Sequence, residues 1–82
     1  GSNTTRSAFL AILAELLLAA GRADEGLGVI EEGYEFSRRT GEIYYLPELH
    51  RLRGELLRLS GRDDEAAACF DEATRVAAAQ DK

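Results

Sequence analysis

Residues 15–25 read Glu15-Leu16-Leu17-Leu18-Ala19-Ala20-Gly21-Arg22-Ala23-Asp24-Glu25, and residues 55–65 read Glu55-Leu56-Leu57-Arg58-Leu59-Ser60-Gly61-Arg62-Asp63-Asp64-Glu65. A shift of 40 residues superimposes the Glu-Leu-Leu start, the Gly-Arg pair and the Asp-Glu pair without insertion, and carries Glu32 onto Glu72. Each copy runs from an apolar helical stretch through a glycine into a new acidic start. That is the signature of a helix–turn–helix unit repeated in tandem, so the expected architecture is stacked hairpins. Four unrelated helices closing into a bundle would have no reason to repeat.

Working outward, the breaks at Gly21-Arg22, Thr40-Gly41-Glu42 and Gly61-Arg62 leave four helix-length segments, at about 5–20, 23–39, 43–60 and 63–80. Asn3, Thr4 and Thr5 are candidate caps for the first. Asp24-Glu25 and Asp63-Asp64-Glu65 put carboxylates in first turns, and Arg38-Arg39 and Arg58 put cations in last turns, as the helix dipole favours. Pro47 falls near the start of the third segment, where its missing N–H costs least. Leu49, Leu52, Leu56 and Leu59 give that segment one apolar face, and Ala66, Cys69, Phe70, Ala73, Val76 and Ala77 do the same for the fourth. In the first segment Phe9, Leu10, Ile12, Leu13, Leu16, Leu17 and Leu18 wrap nearly all round, which calls for neighbours on more than one side.

Composition agrees. Of 82 residues 45% are hydrophobic and 30% charged, with one proline; Ala, Leu, Glu and Arg dominate, so the fold class is all-α. The length suits a single domain. Gly1-Ser2 reads as a cloning scar, residues 3–40 as the first hairpin and 41–82 as the second. The sequence has no methionine and reads as a piece of a longer protein.

Several function classes lose support here. The net charge is −5, and the best basic cluster, His50, Arg51, Arg53 and Arg58, is interrupted by Glu48 and Glu55. Nucleic-acid binding needs a clustered positive stripe and is not expected. The longest apolar stretch, residues 8–20, is 13 residues broken by Glu15, too short for a membrane span. A single cysteine, Cys69, gives no internal disulfide and reads as core, consistent with a cytoplasmic setting. His50 has no converging partners for metal or acid–base work, and packing or a groove edge is its expected role. Asp63-Asp64-Glu65 lacks the alternating oxygen ligands of a calcium loop and reads as a helix start. Tyr44 and Tyr45 are expected to pack at the joint between hairpins, with an exposed aromatic contact as the alternative. No phosphate-cradling loop or nucleophile–base pair occurs, so neither enzyme activity nor a cofactor or metal is expected.

The spacing of Gly54, Leu57, Gly61, Ala66, Phe70 and Ala73 resembles that of tetratricopeptide repeats, with Ala14, Leu17, Gly21, Gly26, Ile30 and Gly33 as the counterparts in the first unit. Small residues let two helices approach and the large one fills the gap. The resemblance covers nearly the whole chain and implies a right-handed solenoid segment that binds proteins. There are departures: His50, Arg53 and Leu57 replace the family's usual large residues, and the period is 40 against about 34. The stretch from Tyr45 to Leu57, with Glu65-Ala66-Ala67-Ala68-Cys69-Phe70, is similar to the C-terminal repeats of large bacterial ATPase-linked transcriptional regulators and adenylate cyclases.

In that family the first helix of each hairpin lines a concave groove. The match implies groove residues Ala8, Ala11, Glu15, Leu18 and Ala19, then Glu48, Arg51, Glu55, Arg58 and Leu59. Glu48, Arg51, Glu55 and Arg58 equally read as a solvated face of intrahelical pairs. The Lys/Asn clamp that some members use for a terminal carboxylate is missing. The implied function is a protein-interaction module of a larger signalling or transcription-regulatory protein; the alternative is a structural spacer or self-association element. Because two repeats leave the first helix incompletely covered, a homodimer through Phe9, Leu10, Leu13 and Leu17 is expected.

Overall fold

The computed structural model describes residues 2–81, with side chains from residue 5 onward. Four helices follow in order: α1 (Ser2–Ala19), α2 (Ala23–Thr40), α3 (Leu46–Leu59) and α4 (Asp63–Gln80). α1 packs on α2 and α3 on α4, giving two hairpins, and α3 also meets α1 and α2. The all-α class and the two-hairpin division follow the sequence reading.

The two hairpin turns match bond for bond. Gly21 and Gly61 adopt φ +75° and +80°, the left-handed region that suits glycine. In the first turn Arg22 N–H donates to Leu17 O at 2.9 Å and Gly21 N–H to Leu18 O at 3.0 Å; in the second Arg62 N–H donates to Leu57 O at 2.8 Å and Gly61 N–H to Arg58 O at 2.9 Å. Both are Schellman turns, which use up carbonyls that the helix end would otherwise orphan. The next helix then opens with the same clamp: Arg22 grips Glu25 with two bonds of 2.6 Å, and Arg62 grips Glu65 at 2.7 and 2.9 Å. The sequence repeat is thus a repeat of geometry.

Two boundaries differ from expectation. α1 already runs from Ser2, so Thr5 lies inside the helix and does not cap it; the side chains of Asn3 and Thr4, and all of Gly1, lie outside the described residues. α3 starts at Leu46, three residues after the expected Ile43. The reason is local competition for backbone groups. Gly41, at φ +78°, ends α2 by donating to Ser37 O at 2.8 Å. Ser37 Oγ then donates to Glu42 O at 2.5 Å, Thr40 Oγ1 accepts from Glu42 N–H at 3.2 Å, and Glu42 Oε1 accepts from Tyr44 N–H at 2.8 Å. Side chains that satisfy the backbone this way hold residues 42–45 out of the helix. Pro47 sits in the first turn of α3, as expected.

The core has two parts. Ala11, Ala14, Ile30, Leu49, Leu52 and Leu56 join α1, α2 and α3; Leu57, Ala66 and Cys69 join α3 and α4, and Leu27 touches both clusters. Because α3 has neighbours on two sides, its buried arc turns toward Gly54 and Leu57, and Leu59, expected on the apolar face, is left 50% exposed at the arc's margin. Gly26 and Gly33 face α3 as the small–large pattern requires: a Cβ on either would stand 2.6 Å from Leu56 Cδ2 or 2.9 Å from Leu49 Cδ1. Cys69 is core, as expected.

Candidate partner-binding surface

At about 100° per residue, Glu48, Arg51, Glu55 and Arg58 project from one side of α3, opposite its buried arc. Arg51 lies over Glu48 with Nε to Oε1 at 2.9 Å and Nη2 to Oε2 at 2.7 Å. That hydrogen bond holds the Glu48 carboxyl below its ordinary range against the opposing effect of burial. It likewise raises the Arg51 guanidinium, with the charges of Glu48, Glu15 and Glu55 adding in the same direction. Glu15 belongs to α1, so the structure brings the α1 and α3 members of the expected groove within electrostatic reach. Arg58 is less engaged: its one bond, from Nη1 to Glu55 Oε1, measures 3.4 Å.

Other residues of the groove expectation fall differently. Ala11 is 6% exposed and belongs to the core, and Leu18 is half-buried against it. Ala8 is half-buried, whereas Ala19 and Leu59 are exposed. The accessible surface is therefore Glu15, Glu48, Arg51, Glu55 and Arg58, edged by small or apolar residues.

The expected self-association face changes too. Leu10 is 2% exposed, inside the chain's own core, while Leu13 and Leu17 are half-buried. Phe9, Ile12 and Leu16 are 56%, 58% and 61% exposed and share the side of α1 that points away from α2 and α3. Of the four residues expected there, only Phe9 stands fully outside. A helix apolar all round does not declare which stripe its neighbours take, and Ser7, Leu10, Ala11 and Ala14 are the stripe taken.

Besides the exposed Arg6–Glu32 ion pair at 2.6 Å between α1 and α2, two half-buried cross-helix polar contacts escaped the sequence reading. Tyr34 of α2 and His50 of α3 share a 2.8 Å hydrogen bond between the hydroxyl and Nδ1, their ring centroids 5.0 Å apart. Burial, aided by the charges of Arg53 and Arg75 and opposed by Glu72, lowers the His50 pKa; burial likewise raises that of Tyr34. Beside them Arg53 Nη1 donates to Cys69 Sγ at 2.9 Å. These side chains border a recess of about 330 Å³ with Glu65 and Glu72. His50 is a half-buried packing residue with one polar partner. Among the described residues, no three His, Cys, Asp or Glu side chains converge as a metal site would need, and no helix is long and apolar enough to cross a membrane.

No protein-family model, no curated protein and no solved structure matches this chain.

Proposed function

We propose that the chain is a protein-interaction module: a tetratricopeptide-like pair of hairpins, working in the cytoplasm within a larger bacterial signalling or transcription-regulatory protein, without catalytic activity. The observation that supports this reading is the contact between α1 and α3, across which the charge of Glu15 acts on Arg51. A surface built from the first helices of two stacked hairpins is a rigid, continuous platform, and stacked helix pairs use such surfaces to hold extended partners. Fold analogy alone does not fix a function, so the weight rests on the charged residues themselves. Arg51 is bound to Glu48 on its own helix, whereas the longer bond of Arg58 leaves it readier to exchange Glu55 for a partner's carboxylate.

The test is a double charge reversal. Arg51→Glu with Arg58→Glu should abolish capture and cross-linking of a protein partner while circular dichroism stays unchanged. A partner held equally well by the double variant overturns the reading.

The second reading is a self-association or spacer element. The exposed Phe9, Ile12 and Leu16 stripe favours it, since a patch of that kind on a soluble chain marks a contact surface.

A further inference from the structure

The 40-residue repeat relates more than the two turns. α3 seats on the first hairpin through Leu49, Leu52 and Leu56, all buried. The residues 40 positions earlier are Phe9, Ile12 and Leu16, each more than half exposed on α1. The row of α2 that receives α3 is Gly26, Ile30 and Gly33, again all buried, with Ser37 buried one turn on. Its counterpart on α4 is Ala66, Phe70 and Ala73, followed by Ala77. Ala66 is buried, but Phe70 and Ala73 are only half-buried and Ala77 is exposed. One side of the molecule thus shows the inserting stripe uncovered, and another shows the receiving row uncovered.

A recess marks the receiving side. It measures about 490 Å³ and is lined by Arg58, Asp63, Ala66, Ala67 and Phe70. Forty residues earlier, those five places are Leu18, Ala23, Gly26, Leu27 and Ile30. There Leu56 stands over Gly26 and packs in one cluster with Ile30, Leu18 and Leu27. The recess therefore has the position of the seat that Leu56 fills in the first hairpin. The chain itself carries the matching part, because Leu16 is the counterpart of Leu56 and Ile12 and Phe9 keep the same spacing. We propose that copies of this chain stack head to tail, with the Phe9, Ile12 and Leu16 stripe of one copy on the α4 face of the next and Leu16 in the recess.

The contact repeats between chains the packing that α2 and α3 make within one, but more loosely. A Cβ on Gly26 or Gly33 would stand 2.6 Å from Leu56 Cδ2 or 2.9 Å from Leu49 Cδ1, and α4 carries a Cβ at both places, on Ala66 and Ala73. The incoming helix must stand further out, so the association is reversible. The rim changes as well, from Leu18 and Ala23 to Arg58 and Asp63, as at contacts between separate chains, where the rim is polar. Such a contact joins unlike surfaces and does not close at two chains. It rests on the self-association reading given above; capture of a partner through Arg51 is a separate measurement, and neither result decides the other.

The first test is light scattering over a concentration series. The mean mass should pass that of two chains above tens of micromolar and keep rising. A plateau at two chains, which a symmetric pair of α1 helices would give, overturns the proposal, as does a monomer throughout. The second test is complementation. Ile12→Glu with Leu16→Glu removes the stripe, and Ala67→Glu with Ala77→Glu, also at exposed positions, removes the receiving face. Each variant alone should be monomeric with an unchanged circular dichroism spectrum. Mixed in equal amounts they should form a complex of two chains and no larger, because one intact stripe meets one intact seat. Both variants carry the same added charge, so attraction between unlike charges cannot produce that complex. A mixture that stays monomeric overturns the proposal, and so does self-pairing of the variant with Ala67→Glu and Ala77→Glu.

Discussion

The ring of Phe70 lies so close over Gly54 that a Cβ added to the glycine would stand 2.6 Å from Phe70 Cε1 and 2.8 Å from Cζ. Forty residues earlier the same two positions are Ala14 and Ile30, both fully buried. One hairpin pairs the smallest residue with a ring, the other pairs a methyl with a smaller branched chain, and the shared volume is kept by opposite choices. Overpacking a filled core costs about 1–3 kcal/mol, more than the roughly 1 kcal/mol that Ala gains over Gly in a helix. Gly54→Ala should therefore destabilise by about 1 kcal/mol in urea unfolding. Gly54→Ala with Phe70→Ile, which copies the first hairpin, should be more stable than the sum of the single effects by at least about 0.5 kcal/mol. Strict additivity would show that the two positions do not share that volume.

Gly28 gives the opposite sign. It is exposed, and nothing lies within 4 Å of where its Cβ would go. Gly28→Ala should stabilise by about 1 kcal/mol and raise the melting temperature by about 4–8 °C. At Gly26 and Gly33 a Leu has no room against the buried Leu56 and Leu49, and loss of the cooperative melt is expected. A lowered melting temperature for Gly28→Ala would contradict the exposed placement of that face.

Light scattering after size exclusion should report twice the mass of one chain at tens of micromolar. The contact is expected at Phe9, Ile12 and Leu16. Ile12→Glu with Leu16→Glu should give a folded monomer. Leu10→Glu should instead unfold the chain, because that leucine is core. A monomer in the unsubstituted chain at high concentration would remove the dimer.

Acid should weaken the fold in a step that belongs to His50. Its pKa is lowered from the ordinary 6.5, so just below that pH the unfolded chain binds a proton that the folded chain does not. Stability contributed by the neutral ring is full above 6.5 and declines as pH falls toward the folded value. The carboxylates Glu48, Glu65 and Glu72, whose folded values are lowered from 4.5, lose their contribution only in more acidic solution. Urea midpoints should accordingly fall as the pH drops below 6.5, and His50→Gln should flatten that segment alone. An unaltered slope in the variant would assign it elsewhere.

The repeat made the helix count, the hairpin turns and the glycines that face α3 legible in the sequence, because Gly21, Gly61 and their flanks encode local geometry. What stayed hidden depends on how helices meet. The sequence made α1 apolar nearly all round, and only the positions of α2 and α3 decide that Leu10 goes in while Ile12 stays out. Tyr34–His50 and Arg53–Cys69 each join residues sixteen positions apart on different helices, beyond any helical period. The late start of α3 came from Ser37, Thr40 and Glu42 side chains acting on the backbone, which a count of apolar positions does not register.

The burial of Cys69 makes the chain carry its own clock. Its thiol, 6% exposed, is covered where α4 rests on α3, and the apolar cluster there is the smaller of the two. A thiol reagent too bulky for the recess beside Cys69 can react only when that helix lifts, so its labelling rate counts lifting events. Local openings cost less than global unfolding where fewer apolar contacts must break. If α4 detaches while the first hairpin and α3 stay folded, labelling will run faster than urea-derived stability allows. At high reagent concentration the rate will level off at the opening rate itself, timing one helix within a structure that otherwise stays closed.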